Sequence, residues 1–268
     1  MAARIHETAL VDAGARLADD VVVEAYARVG GAVTLGPGCR VGHGAIVDGH
    51  TRLGSNNRIS AYAIVGGEPH DLKYAGESTR LEVGDDNVFR EHATIHRGTV
   101  QGGGLTSIGH RNLFMSGVHV GHDCVIGSDC VFSFSAALAG HVEVSDHAIL
   151  GGLAGVHQFV KIGAYAFVSG GAKLGMDMLP FMICQGMPAR LRGVNEVGMQ
   201  RHGYGEEVRA MRQAYRLFFR TDSCDDPIAT VRAAFDPLPA SVAMFLDHAA
   251  EWQSGDRKLM RPRARGAR

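Results

Sequence analysis

From residue 108 to residue 174 an aliphatic or aromatic side chain returns at every sixth position without a miss: Ile108, Phe114, Val120, Ile126, Phe132, Leu138, Val144, Leu150, Val156, Ile162, Val168 and Leu174. A second, smaller residue follows most of these by four places, among them Val118, Cys124, Cys130, Ala136, Val142, Ala148, Ala154, Val160, Ala166 and Ala172. A helix repeats at 3.6 residues and a plain strand at 2, so neither accounts for a period of six. A solenoid of short flat faces joined at tight corners does, with the repeated residue pointing inward on each face. Three faces close a triangle. Residues eighteen apart then lie above one another, at the strand spacing of about 4.8 Å.

The same hexad runs near the N-terminus through Ile5, Val11, Leu17, Val23, Val29, Leu35, Val41, Val47, Leu53, Ile59 and Val65. It breaks over residues 66–82 (GGEPHDLKYAGESTRLE), resumes at Val83, Phe89 and Ile95, and breaks again over residues 97–107 (RGTVQGGGLTS) with a register shift of one. Both breaks read as loops thrown out from corners, where solenoids build binding faces. The hexads end near Leu174, and Pro180 and Pro188 punctuate the exit. From about Leu191 the pattern turns helical. Val208, Met211, Tyr215, Leu217 and Phe218 form an apolar stripe, Asp225-Asp226-Pro227 reads as a helix start, and a last helix spans residues 241–252. The division is residues 1–187 for the solenoid and 188–268 for a helical part that caps it, ending in a basic tail that reads as disordered.

Composition narrows the function. The 36 glycines suit tight corners, where positive φ is free of steric cost. A formal net charge of −1 gives no bias toward nucleic acid or an anionic membrane. No apolar run approaches membrane-spanning length, and the first residues lack a secretory apolar core. Cys39, Cys124 and Cys130 fall on the small inward position and read as buried thiols; Cys184 and Cys224 carry no signal. A cytoplasmic protein in a reducing compartment is expected.

The chemistry gathers in the second half. His122 lies between the inward Val120 and Cys124, so it faces out beside a corner. Steps of eighteen carry 122 to Gly140 and Gln158, and 123 to His141. His122, Gly140 and Gln158 thus form one outward column with Asp123, His141 and His157 beside it. An imidazole next to a carboxylate suits a general base that takes a proton from a hydroxyl. A bare Gly backbone one coil above can offer an N–H to an oxyanion. A lone surface His would be merely solvated; His119, His122, His141 and His157 on one ridge are a stronger signal. Imidazoles on solenoid corners also gather zinc between subunits, as in the γ-class carbonic anhydrases. Here the partner column offers Gly and Gln where further ligands are needed. Asp71 and Lys73 on the first loop add a charged pair, whose plainer reading is a solvated turn.

Several stretches resemble the bacterial UDP-N-acetylglucosamine O-acyltransferases: DLKYAGE (71–77), ATIHRGTVQGGGLT (93–106), HVGHDC (119–124), LAGHV (138–142), GVHQF (155–159) and RGVNEVGMQRHGY (192–204). The resemblance implies a left-handed parallel β-helix of hexapeptide repeats with a C-terminal α-helical domain, an exception to right-handed crossovers. It implies a cytoplasmic homotrimer with clefts between subunits, transfer of a 3-hydroxyacyl chain from acyl carrier protein to the glucosamine 3-OH, and no metal or cofactor. By motif, His122 matches the base, Asp123 its partner and Gly140 the oxyanion backbone. Asp71, Lys73, His119, His141, His157 and Gln158 match sugar-nucleotide contacts, Asn195 and Arg201 uridine and phosphate contacts, and Gly170 the position that limits acyl length. His202 stands where a second basic residue is usual, His70 where Gln is usual, and Gly121 where Ala is usual. Two rivals remain: the N-acyltransferase of the same pathway, which carries a further N-terminal domain, and a γ-carbonic-anhydrase-like metal enzyme.

Overall fold

The computed structural model describes residues 2–220, 225–253 and 258–262. Its strands are mostly two residues long and stack into three sheets of eleven, nine and eight strands, whose order steps by three along the chain. Pairing is parallel throughout the coils. Val120 lies over Leu138, Leu138 over Val156 and Val156 over Leu174, each eighteen residues apart. The hexad residues fill the triangular interior. Phe89, Phe114 and Phe132 are fully buried and stack at centroid distances of 4.9 and 4.8 Å. Ile5 in the first coil stays exposed because no coil lies beneath it.

Both loops enter without disturbing the stack. Val65 pairs with Ile95, thirty residues on, and Ile95 with Val120, twenty-five on. The insertions are shorter than their sequence breaks. Strand Arg80–Val83 takes in the end of the first break, and strand Leu105–Ile108 the end of the second. Their alternating burial, with Leu81 and Thr106 inward, shows why: strand geometry resumes before the apolar hexad does.

An amide ladder runs up one interior corner. Asn57, Asn87 and Asn112 are buried, with Asn87 Nδ2 donating to Asn57 Oδ1 (3.0 Å) and Asn112 Nδ2 to Asn87 Oδ1 (2.9 Å). Each amide also bonds to backbone of neighbouring coils. Asn87→Ala should strip partners from both neighbours and cost about 3 kcal/mol or more, since each orphaned buried polar group costs about 1–3 kcal/mol. A denaturant melt with an unchanged midpoint would remove the ladder from the list of what holds the coils.

The glycines after the hexad residue have a different cause from the one expected. Gly109 and Gly151 do not carry positive φ. A Cβ on Gly109 would meet Gly127 O at 2.6 Å, and one on Gly151 would meet Gly170 N at 2.5 Å. Coil-to-coil approach selects them. The left-handed corner positions are instead held largely by side-chain-bearing residues, including Asn56, Asp123, His141 and Phe159.

Past the last regular coil, strand Met182–Gln185 pairs with Phe167–Val168, then turns back into the antiparallel strand Arg190–Val194. This strand lies beyond the division drawn at 187, and the helical pattern begins five residues later than Leu191. Cys184 continues the inward column, opposite Val168 and fully buried, so its thiol belongs to the core after all. Cys224 lies outside the described residues. Among the described residues four α-helices follow: α1 (Glu196–Arg201), α2 (Val208–Arg220), α3 (Pro227–Ala233) and α4 (Ala240–Gln253). The Asp226 carboxylate caps α3 by accepting from Ala229 N at 2.9 Å. Met211, Phe218, Phe245 and Trp252 bury the shared face of α2 and α4.

The basic tail is partly ordered, against expectation. Met260 is 1% exposed, and its N–H donates to Asp177 O at 2.7 Å. One apolar anchor and a backbone bridge overcome the local charge. Residues 254–257 and 263–268 of that tail lie outside the described residues. No described helix is long and apolar enough to cross a membrane.

Candidate active site

Two neighbouring coils and one loop build the site. Strand His119–Val120 ends at a corner where Asp123 takes φ +59°, turning its carboxylate in under the second loop. Asp123 is 6% exposed. One carboxylate oxygen accepts from Thr99 N at 2.7 Å; the other accepts from Thr99 Oγ1 at 2.6 Å and from His122 Nδ1 at 2.7 Å. His141 Nε2 stands 3.6 Å from that second oxygen. The Asp123 N–H donates to Thr106 Oγ1 at 2.8 Å. A Cβ on Gly102 would fall on the Asp123 carboxylate, so the glycine run lets the loop close over it.

A carboxylate only accepts, so the bond fixes the proton on His122 Nδ1 and leaves Nε2 as a base. That nitrogen lies against Gly140. A Cβ there would sit 2.7 Å from Nε2 and 2.5 Å from Cε1, so only Gly permits the ring to lie over this backbone. The Gly140 N–H has no acceptor among the described residues. His141 stands edge-on to His122 (centroids 5.1 Å) and stacks on Phe159 (4.5 Å). The column derived from steps of eighteen is present: His141 N donates to His122 O, and Phe159 N to Gly140 O.

Beside this pair runs a groove of about 670 Å³ along one flat face, from His119 past Leu138 and Val156 to Lys173, Met187 and Pro188. His157 lines it, and Gln158 is exposed next to it. The outward residues of this face above His119 are Ala137 and Gly155, which leaves it open. Gly170 is exposed at the corner just before Lys173 and does not line the groove. Asp71 is half-buried, and its Oδ1 accepts from the Lys73 backbone N–H at 2.9 Å. The contact is a turn within the loop, the plainer of the two readings from the sequence.

His119 is half-buried, with Nδ1 2.9 Å from Thr94 Oγ1. Burial lowers its pKa, helped by repulsion from His70 and His122. His96 is more enclosed, and desolvation pulls its pKa down to about 4.

Asn195 and Arg201 are not brought to this cluster. Asn195 caps α1, accepting from Gly198 N at 3.0 Å, and donates to Tyr165 O at 2.8 Å. Arg201 ends α1, next to His202, which packs on His147 and Tyr165. His147 and Tyr165 lie six residues beyond His141 and Phe159, one corner further round the triangle.

Sequence reasoning passed over Thr99, Thr106, His96 and Arg97. All four are buried polar residues within or beside the second break. Arg97 donates to Gly66 O (2.6 Å) and Tyr74 Oη (2.9 Å), tying the first loop to the second.

Comparison with known proteins decides the family. The acyl-[acyl-carrier-protein]–UDP-N-acetylglucosamine O-acyltransferase of Thiobacillus denitrificans is 44% identical over 257 residues, covering 94% of this chain and 98% of that one. This chain belongs to the UDP-N-acetylglucosamine O-acyltransferase family. The Stenotrophomonas maltophilia R551-3 relative of the same description is 48% identical over 81% of this chain and 84% of its own. A family profile described as "Udp N-acetylglucosamine O-acyltransferase; Domain 2" matches residues 177–255. The solved enzyme of Moraxella catarrhalis RH4 superposes with a TM-score of 0.90 at 38% identity, covering 96% of this chain and 99% of that one. That from Acinetobacter baumannii gives 0.90 at 37%, over 97% and 99%. The architecture is the expected left-handed parallel β-helix with a C-terminal helical part, and the chain is an acyltransferase.

Proposed function

We propose that this acyltransferase moves an (R)-3-hydroxyacyl chain from acyl carrier protein to the 3-hydroxyl of UDP-N-acetylglucosamine, the first step of lipid A biosynthesis. The relatives' names supply the two substrates. The observation that carries the mechanism is the His122 ring, held at Nδ1 by the buried Asp123 and laid over the bare Gly140 backbone. His122 Nε2 takes the proton of the 3-hydroxyl as that oxygen attacks the thioester carbonyl. The carbonyl oxygen gathers charge against the Gly140 N–H. Collapse of the adduct breaks the C–S bond, and the proton on His122 goes to the departing thiolate. Atoms and charge balance in this step without a cofactor or metal.

His119, His141, His157, Gln158, Asp71 and Lys73 hold the sugar nucleotide, and the groove along Leu138 and Val156 takes the acyl chain. Asn195 and Arg201 reach the uridine and phosphates of a neighbouring copy's site. Their place on a different corner from His122 favours a homotrimer, in which each cleft joins two corners. Buried free thiols at Cys39, Cys124, Cys130 and Cys184 agree with a reducing, cytoplasmic setting.

The product decides. With 3-hydroxyacyl donors on acyl carrier protein, mass spectrometry should find one acyl group on the sugar 3-oxygen. Acylation of an amine would favour the N-acyltransferase instead. Light scattering should give a trimer, and a fully active monomer would remove the shared cleft.

A further inference from the structure

We propose that His70, His96 and His119 form a binding site for one zinc-class divalent transition-metal ion, where the first loop meets the coil ridge. Each offers a ring nitrogen, and the three atoms lie within 4.8 Å of one another. The ring centroids are 4.1 Å apart for His70 and His96, and 5.0 Å for His96 and His119.

His96 carries the inference. It is 5% exposed, and its Nδ1 is bonded to the Glu68 carbonyl oxygen. A carbonyl only accepts, so the proton sits on Nδ1 and Nε2 keeps its lone pair. That Nε2 is buried and has no hydrogen-bond partner among the described residues. A buried acceptor without a partner is costly and calls for an occupant. Fixing one ring nitrogen with a carbonyl so that the other is aimed is also how metal-binding histidines are held. His119 Nδ1 lies 2.9 Å from Thr94 Oγ1, which steadies the ring.

The chemistry selects the ion. Three imidazoles with no carboxylate suit zinc, copper or nickel rather than magnesium or calcium. Zn–N bonds of about 2.0–2.1 Å in a tetrahedron put the nitrogens roughly 3.3 Å apart. The cluster must therefore close, and His70, exposed on the loop, is the member free to approach. The neighbouring trio of His122, Asp123 and His141 is a poorer host, because the Asp123 carboxylate already accepts from Thr99 and His122.

The site shares His119 with the sugar-nucleotide contacts of the proposed function, and its test reads metal binding rather than turnover. Metal-free, tag-free full-length protein is titrated with Co²⁺ alone, followed by the visible bands of imidazole-bound cobalt. One ion per chain is expected, displaced by Zn²⁺. His70→Gln should weaken Co²⁺ binding by about 100-fold or more, since loss of an outer-shell partner alone costs about 10–100-fold. Its metal-free melt should match the parent, which shows that the loop change leaves the fold intact. His141→Asn should leave Co²⁺ affinity unchanged. Absence of binding, unchanged affinity in His70→Gln, or loss confined to His141→Asn would each overturn the site.

Discussion

His122→Ala should lower kcat by roughly 10²–10⁴-fold, the usual contribution of a positioned base. The protein should still fold. The His122 side chain is 14% exposed and contributes nothing to the interior, which Val120 and Cys124 fill. Asp123 loses one close donor but keeps both bonds from Thr99, so the buried carboxylate is not abandoned. Binding of the nucleotide sugar should change far less than turnover, because the base acts on the transition state. Steady-state kinetics beside a thermal melt tests this. A folded variant with near-normal kcat would show that another group takes the proton.

Gly170→Met should shift donor preference toward shorter acyl chains. The structure removes the competing explanation, that Gly170 is needed for left-handed backbone. The positive φ belongs to its neighbour Gly171, at +68°. A Cβ on Gly170 would meet Gly152 O at 3.2 Å and Gly152 N at 3.9 Å, and a shift of a few tenths of an ångström relieves the closer contact. On the family resemblance, an open position here admits a longer chain than a filled one. Each methylene buried in a groove contributes about 0.8 kcal/mol, close to fourfold in preference. Four carbons that fit amount to roughly a hundredfold or more, and the variant should lose that advantage. Activity on the short donor should survive, since His122 and Gly140 are untouched. Competition between long and short acyl carrier protein donors gives the ratio directly. A folded variant with the parent's preference would take Gly170 out of chain selection, and its absence from the groove lining makes the outcome informative.

How much of this was legible in the sequence follows from what the hexad encodes. Its period fixes which residues stack, so the column of His122, Gly140 and Gln158 could be found by counting. The count works because parallel strands eighteen residues apart must pair to satisfy their backbones. It says nothing inside the breaks, and there the reading fell short. Thr99 and Thr106 hold Asp123 from the second break, at positions no period reaches. Cys184 was missed because Pro180 disguised the return of the chain to the stack. Positive φ does account for corner glycines such as Gly44, Gly117 and Gly171, whereas contact between coils selects Gly109 and Gly151. Torsion is a property of one residue and can be read locally; approach between coils depends on what stands eighteen residues away. The tail was judged by composition, and Met260 shows how one buried side chain can order a charged segment.

The uncovered first coil has a bearing on where the molecule opens. In a stack whose units touch only their neighbours, local opening starts at an end and proceeds coil by coil. The end near Ile5 has no buried residue before Val21 among the described residues, while the other is closed by the hairpin and helices. Asp123 lies five coil steps in, roughly 25 Å from the loose end at about 4.8 Å per step. Amides of the first strands therefore exchange with solvent by fraying alone, on a much faster clock than those of the catalytic corner. Five spare coils insulate a rigid carboxylate from the breathing of its own scaffold.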